Sequence, residues 1–215
     1  MTNEQKTADI IAKLSSEAAL KTPPFPLKKA FAGLLVFSFV YIAFVLHFFY
    51  GLRPDFMDKI LMTSFLVELA AVFALIAVTY SLTVYYAPPR KAFKKQQFIF
   101  VALIIAVICA LVCTFSEESM TAFDLNLIHS SCFASIIVFA LPTAVIGFII
   151  LKKSATTNPE WLGFTTLLLA GTMGYLGVRL TCAMETMHHQ ICTHLLPVVL
   201  FTALGYFMGR KILSW

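Results

Sequence analysis

The sequence predicts an all-α integral membrane bundle of six transmembrane helices, with both termini in the cytoplasm. The bundle takes up residues 28–215, and residues 1–27 form a cytoplasmic tail with a short amphipathic helix. Composition is the first reason, since 60% of the 215 residues are hydrophobic and only 13% are charged. A soluble domain needs roughly a quarter charged residues to hydrate its surface. The other two reasons are long apolar blocks and basic residues confined to alternate connections.

Six apolar blocks are long enough to cross a membrane, for which a helix needs about 20 residues. The blocks are residues 30–50, 60–84, 98–115, 128–151, 161–180 and 193–213. They are continuous, whereas the strands of a membrane barrel alternate, so helices are favoured. The first block is too long for a signal peptide and lacks a small-residue cleavage site after it. We expect it to remain as an anchor.

Basic residues orient the predicted bundle. Thirteen of the 16 lysines and arginines lie before the first apolar block, in the second and fourth connections, or at the C-terminus. They are Lys6, Lys13, Lys21, Lys28, Lys29, Arg90, Lys91, Lys94, Lys95, Lys152, Lys153, Arg210 and Lys211. The positive-inside rule therefore places both termini in the cytoplasm. Topology accounts for the net charge of +5 and gives no reason to expect nucleic acid as a ligand.

The tail is predicted to contain an amphipathic helix that begins at Thr2 or Asn3 and runs to about Leu20, ahead of a proline pair. One face of it carries an apolar stripe, formed by Ile10, Ile11, Leu14 and Ala18. Such a helix either lies on the membrane surface or docks in the groove of a partner protein. The stripe is narrow and the tail is only weakly basic, which favours docking.

All the cysteines and histidines are predicted to lie near the outer face of the bundle. They are Cys109, Cys113, Cys132, Cys182, Cys192, His47, His129, His188, His189 and His194. Any one of them alone is more simply explained as a packing or interfacial residue. Together, in an oxidising compartment, they indicate disulfides, redox-responsive thiols or a zinc or copper site. No segment has a CxxC zinc signature, so the residues alone identify no metal.

Two charged residues lie within or near the apolar blocks. Glu68 lies about two turns into the second helix, where an ionised carboxylate needs a partner. Arg179, near the end of the fifth helix, is either that partner or an arginine that extends to the membrane interface. From this pattern alone, both readings of Arg179 stay open.

Repeated glycines predict close packing between helices. Gly171, Gly174 and Gly177 recur every three residues, and Gly205 and Gly209 form a pair of small residues four apart. The sequence has no phosphate-binding glycine loop, nucleophile elbow or HExxH helix, and its loops are short. We therefore expect a protein that is not an enzyme and that uses no cofactor.

Several segments together resemble a known family. They are Asp9-Ile10-Ile11-Ala12-Lys13-Leu14 in the tail, Gly51-Leu52-Arg53-Pro54-Asp55 after the first helix, Phe65-Leu66-Val67-Glu68-Leu69 in the second helix, and the spaced Cys132, Cys182 and His194. On these residues the chain resembles the NrsF family over nearly its whole length. Members of this family are six-helix membrane proteins of proteobacteria that act as negative regulators of extracytoplasmic-function sigma factors.

The resemblance implies an anti-sigma factor of the bacterial inner membrane, with an extracytoplasmic-function sigma factor and membrane lipid as its partners. The expected sigma-binding residues are Asp9, Ile10, Ile11 and Leu14. The expected sensors of redox or metal stress are Cys132, Cys182 and His194. The two cysteines are the ones that match the family's pair. A stress signal at this site would release the sigma factor from the tail.

Two other functions also fit thiols at one membrane face. A thiol–quinone oxidoreductase places cysteines there too, but it normally has a CxxC-like reactive pair. A small metal transporter would have ligands that continue through the membrane, whereas the ligands predicted here stop at one face.

Overall fold

The computed structural model describes residues 3–21, 26–89 and 130–214, and all regular elements within these ranges are helical. Helix α1 spans Asn3–Lys21, and α2 spans Leu27–Val45 and continues as a π-helical turn over Leu46–Tyr50. A single helical turn at Phe56–Lys59 precedes α3, which spans Thr63–Tyr86. Helices α4 and α5 span Ser130–Leu151 and Pro159–Arg179. A turn at Met187–His189 and a π-helical turn at Gln190–Leu195 lead into α6, Leu196–Ile212.

Five helical segments in the described ranges are long and apolar enough to cross a membrane. They are Leu27–Tyr50, Thr63–Tyr86, Cys132–Leu151, Pro159–Arg179 and Gln190–Ile212. Each coincides within a few residues with a predicted block. The remaining block, 98–115, lies outside the described residues, as do Cys109, Cys113 and His129. The sixth span and the placement of both termini therefore stay predictions.

Helix α5 forms the centre of the bundle. It packs against α3, α4 and α6, while α2 packs mainly against α4. In its most apolar stretch 89% of the residues are buried, against 33–50% in the other four candidate spans. Helices α3, α4 and α6 therefore surround α5, and each of them exposes one face.

Glycines allow the helices to approach α5 closely, as the sequence predicts. A Cβ atom at Gly205 would lie 2.5 Å from the carbonyl oxygen of Gly163, so α6 and α5 contact through their backbones. A Cβ atom at Gly174 would lie 2.7 Å from the carbonyl oxygen of Ile136, and one at Gly177 would lie 2.5 Å from an aromatic ring of α4. Any larger residue at these positions must separate the helices. Gly163 is a contact that the pattern of repeated glycines does not reveal.

The outward faces of the bundle are apolar. Large exposed hydrophobic side chains include Val40 and Phe44 on α2, Phe73 on α3, and Leu204 and Phe207 on α6. A water-soluble monomer rarely exposes so continuous an apolar surface. These faces are consistent with a surface that contacts lipid.

Candidate functional site

Four metal-ligating side chains converge where α4 begins, α5 ends and the C-terminal helix begins. Cys132 lies in the first turn of α4, and Cys182 follows α5, where its backbone N–H donates to the carbonyl of Val178. His189 ends the Met187–His189 turn, and His194 lies in the π-helical turn. Their ligand atoms all lie within 4.8 Å of one another. We refer to Cys132, Cys182, His189 and His194 as the thiol–imidazole cluster.

Individual distances within the cluster are short. The two Sγ atoms are 3.9 Å apart, and the Sγ atom of Cys182 lies 3.4 Å from Nε2 of His189. The imidazole rings of His189 and His194 have centroids 4.9 Å apart and meet edge to face at 77°. Cys182 and both histidines are buried, whereas Cys132 is half-buried. A metal ion could therefore be held by two soft sulfurs and two nitrogens.

The π-helical turn brings the two histidines together. They are five residues apart, and in an α-helix such residues point about 140° away from each other. Hydrogen bonds in a π-helix run from i to i+5, which brings residues five apart closer to one face. Pro197 stands just after the turn and has no N–H to donate to Thr193, four residues earlier. Its ring also crowds that carbonyl, which disfavours regular α-helix here.

Gln190 fixes the orientation of the His194 ring. The Nε2 amide of Gln190 donates to the carbonyl of Met184 at 2.8 Å, so its Oε1 faces Nδ1 of His194 at 2.7 Å. Because Oε1 can only accept, Nδ1 carries the proton and Nε2 carries the lone pair. This Nε2 is buried and has no hydrogen-bond partner among the described residues. A buried nitrogen in that state is available as a ligand.

A buried ion pair lies beside the cluster. The guanidinium of Arg179 on α5 donates to both carboxylate oxygens of Glu68 on α3, at 2.6 Å and 2.9 Å. The hydroxyl of Tyr175 also donates to this carboxylate, at 2.8 Å. The ring of Tyr175 meets the His194 ring edge to face, with centroids 6.2 Å apart. The pairing of Arg179 with Glu68 is thus the correct reading of the two that the sequence left open.

A second set of ion pairs anchors the segment that carries Cys182. Arg53 donates to Asp55 at 2.7 Å and to Glu185 at 2.9 Å, and Lys59 also donates to Glu185. The backbone N–H of Arg53 donates to the carbonyl of Leu180 at 3.0 Å. The connection after α2 therefore holds the connection after α5 in place.

These ion pairs shift the ionisation of the two carboxyl groups. The hydrogen bond from Arg53 is the main cause that lowers the pKa of Asp55 to about 2. Burial alone would raise the pKa of Glu185, but hydrogen bonds from Lys59 and Arg53 outweigh it and lower that pKa. Both groups are therefore carboxylates at neutral pH, and the ion pairs of Arg53 with Asp55 and Glu185 are formed.

The aromatic ring of Phe65 lies against both arginines. The guanidinium carbon of Arg179 is 5.1 Å from the ring centroid, and that of Arg53 is 5.7 Å from it. The two segments that resemble the NrsF family, 51–55 and 65–69, therefore meet beside the cluster. Arg53 and Asp55 of the first segment and Glu68 of the second form the ion pairs described above. The two segments therefore have a structural role.

The structure brings together all three residues predicted as sensors. Cys132, Cys182 and His194 belong to the cluster, while His189 is a member that sequence reasoning did not single out. Spacing alone could not reveal it, because an α-helix would separate His189 from His194. Cys192 lies in the same π-helical turn but outside the group.

The predicted sigma-binding residues lie on α1, away from this cluster in sequence. Helix α1 covers Asn3–Lys21, the part of the tail in which the sequence predicts an amphipathic helix. Asp9, Ile10 and Ile11 are exposed on it, and Leu14 belongs to the helix, although its side chain is outside the described part. No described contact assigns a function to these residues, so sigma binding stays a prediction.

One comparison with known proteins finds a match. A family model described as NrsF, negative regulator of sigma F, matches residues 15–215. The match covers the cluster and both sets of ion pairs, and it begins after the predicted sigma-binding residues 9–14. No curated protein and no solved structure matches the chain.

Proposed function

The chain belongs to the NrsF family, negative regulators of sigma F, and we propose that it is a membrane-embedded anti-sigma factor. It binds an extracytoplasmic-function sigma factor through the cytoplasmic tail, residues 1–27, and keeps it inactive. It releases the sigma factor when Cys132, Cys182 and His194 respond to redox or metal stress. It resides in the bacterial inner membrane with both termini in the cytoplasm, and it acts as a regulator with no catalytic step of its own.

The convergence of the three predicted sensors is the observation that supports the sensing part most strongly. Cys132 and Cys182 are 50 residues apart in sequence, yet their sulfurs lie 3.9 Å apart. Cys132 lies in α4, Cys182 follows the end of α5, and His194 comes from the π-helical turn before α6. An oxidant or a thiophilic metal that joins these groups would change how the ends of those helices pack.

Signal transfer requires two states of the bundle that the ligand binds unequally. Helix α5 contacts α3, α4 and α6, so a shift at its end beside Cys182 reaches every element around it. Because α6 runs from the cluster to Arg210 and Lys211, it connects the sensor with the opposite end of the bundle. A tenfold change in sigma affinity needs only about 1.4 kcal/mol of coupling.

Exposed apolar side chains on α1 support the tail as the sigma-binding element. Ile10 and Ile11 are 58% and 61% exposed, although isoleucine is among the residues most often buried. With Leu14 they make up the apolar stripe that the sequence predicts, of the kind that docks into an apolar groove. Binding to a sigma factor would remove this stripe from water.

Charge substitutions on the tail test the proposal. Ile11→Asp or Leu14→Asp should abolish co-purification of the sigma factor with the full-length protein, because each places a charge in an apolar contact. Gln5→Asp, an exposed position outside residues 9–14 and off the apolar stripe, is the matched control and should retain the sigma factor. The amount of membrane-inserted protein should stay equal in all three variants. If both stripe variants still bind and silence the sigma factor, the tail is not the docking element.

A further inference from the structure

We infer that the thiol–imidazole cluster binds one soft divalent metal ion, such as zinc or cadmium, with His189 as its fourth ligand. The regulatory meaning of this ion rests on the proposed function, but the binding itself rests on geometry alone. Two thiolates and two imidazoles form the complete ligand set of a four-coordinate site. The redox alternative, a disulfide between Cys132 and Cys182, would leave both histidines without a role.

The distances suit a tetrahedral centre. With metal–sulfur bonds near 2.3 Å and metal–nitrogen bonds near 2.05 Å, two sulfurs lie about 3.8 Å apart and a sulfur and a nitrogen about 3.6 Å apart. The corresponding separations here are 3.9 Å between the sulfurs and 3.4 Å from Cys182 to Nε2 of His189. All ligand atoms lie within 4.8 Å of one another, so closing onto an ion needs movements of no more than about 1.5 Å.

Gln190 acts as an outer-shell residue that prepares His194 for the metal. Its amide holds Nδ1 of His194 in the protonated form and leaves the buried Nε2 with a lone pair. Ligating histidines usually donate their second ring nitrogen to such an acceptor, which fixes the ring and its tautomer. The carbonyl of Met184 in turn fixes Gln190. The His194 ring is therefore oriented before the ion arrives.

Charge and softness select the class of ion. On binding, each thiol releases its proton to water and coordinates as a thiolate, so two negative charges neutralise one divalent ion. A neutral centre is tolerated at a buried position, where an uncompensated charge is costly. Thiolates and imidazoles prefer zinc-like and softer ions, whereas magnesium and calcium prefer oxygen ligands. Cys132 is half-buried, so the described residues do not enclose it completely.

Cobalt(II) binding to the purified full-length protein in detergent tests the inference. The wild type should bind one ion per chain, with the intense visible absorption of tetrahedral cobalt and the near-ultraviolet absorption of sulfur–cobalt charge transfer. Zinc or cadmium should displace it. His189→Ala should weaken cobalt affinity at least about 10-fold and reduce the tetrahedral absorption. His47→Ala and Cys192→Ser are the matched controls and should leave the spectrum unchanged.

A second variant distinguishes the loss of a ligand from a folding defect. His189→Cys restores four ligands and should regain the tetrahedral absorption, with stronger charge transfer from a third sulfur. A wild-type protein that shows no tetrahedral cobalt, or a His189→Ala variant with wild-type affinity and spectrum, overturns the inference. In either case a sigma response that still depends on Cys132 and Cys182 would leave the proposed function standing with a redox signal.

Discussion

Replacing Arg179 by methionine is expected to destabilise the bundle by about 3–5 kcal/mol, because Glu68 would keep a buried charge without its partner. Glu68 is 2% exposed and Arg179 is 4% exposed, and two hydrogen bonds of 2.6 Å and 2.9 Å join them. Little water is available to replace the lost contact. The cost should therefore exceed that of any surface ion pair, which contributes about 0–1 kcal/mol.

The opposite substitution should cost less. In Glu68→Leu the guanidinium of Arg179 still has Glu185 nearby, with a nitrogen–oxygen distance of 3.5 Å. The double variant removes both charges and should be more stable than Arg179→Met alone, because two apolar side chains fill the space. Tyr175→Phe removes one hydrogen bond to a charged acceptor and should cost about 1.5–3 kcal/mol.

Unfolding of the purified variants in detergent, followed by circular dichroism against denaturant, measures these differences. A double-mutant cycle on Glu68 and Arg179 should give a coupling energy of at least about 2 kcal/mol. Arg210→Met, an exposed arginine on α6, is the matched control and should change stability by less than about 0.5 kcal/mol. Strictly additive losses for Glu68 and Arg179 would refute the view that they form one buried pair.

Two further predictions concern topology and acid stability. A reporter active only in the cytoplasm should work after Trp215 and fail within residues 117–124, and activity at the second site would overturn the orientation of the cysteines. The pKa of Asp55 falls from 3.8 to about 2 on folding, so its pairing with Arg53 stabilises the protein above pH 3.8. That contribution is lost as the pH falls towards 2. In acid titrations, the stability of Asp55→Asn should therefore decrease less steeply between pH 3.8 and 2 than that of the wild type. An unchanged acid profile would mean that this pair adds nothing to stability.

Helix positions could be predicted because the apolar blocks are continuous and bounded by charges or prolines. Each described span begins and ends close to its block, and the repeated glycines indicated which helix faces pack closely. The pairing of Glu68 with Arg179 could only be offered as one of two readings. The pairing depends on the register of α3 against α5. That register is determined by side-chain packing between residues far apart in sequence, and Glu68 and Arg179 are 111 residues apart.

The candidate site was predictable in part. Orientation by basic residues predicts that the cysteines and histidines share one membrane face, and the family resemblance selected Cys132, Cys182 and His194. His189 was not predicted as a member of the cluster, because its spacing from His194 suits a π-helical turn, for which sequence has no dependable signal. Gln190 was not predicted as part of the site either. Its role is to orient His194, and only the two hydrogen bonds that it makes reveal this role.

Sigma-dependent transcription in cysteine variants tests most directly whether the cluster controls the sigma factor. Cys132→Ser, Cys182→Ser and the double variant should show the same altered response to an oxidant or a thiophilic metal, because groups that act as one switch are not additive. Cys192→Ser, in the adjacent π-helical turn, should respond like the wild type. A double variant with a normal stress response would contradict the sensor role of the two cysteines, even if the protein still repressed its sigma factor.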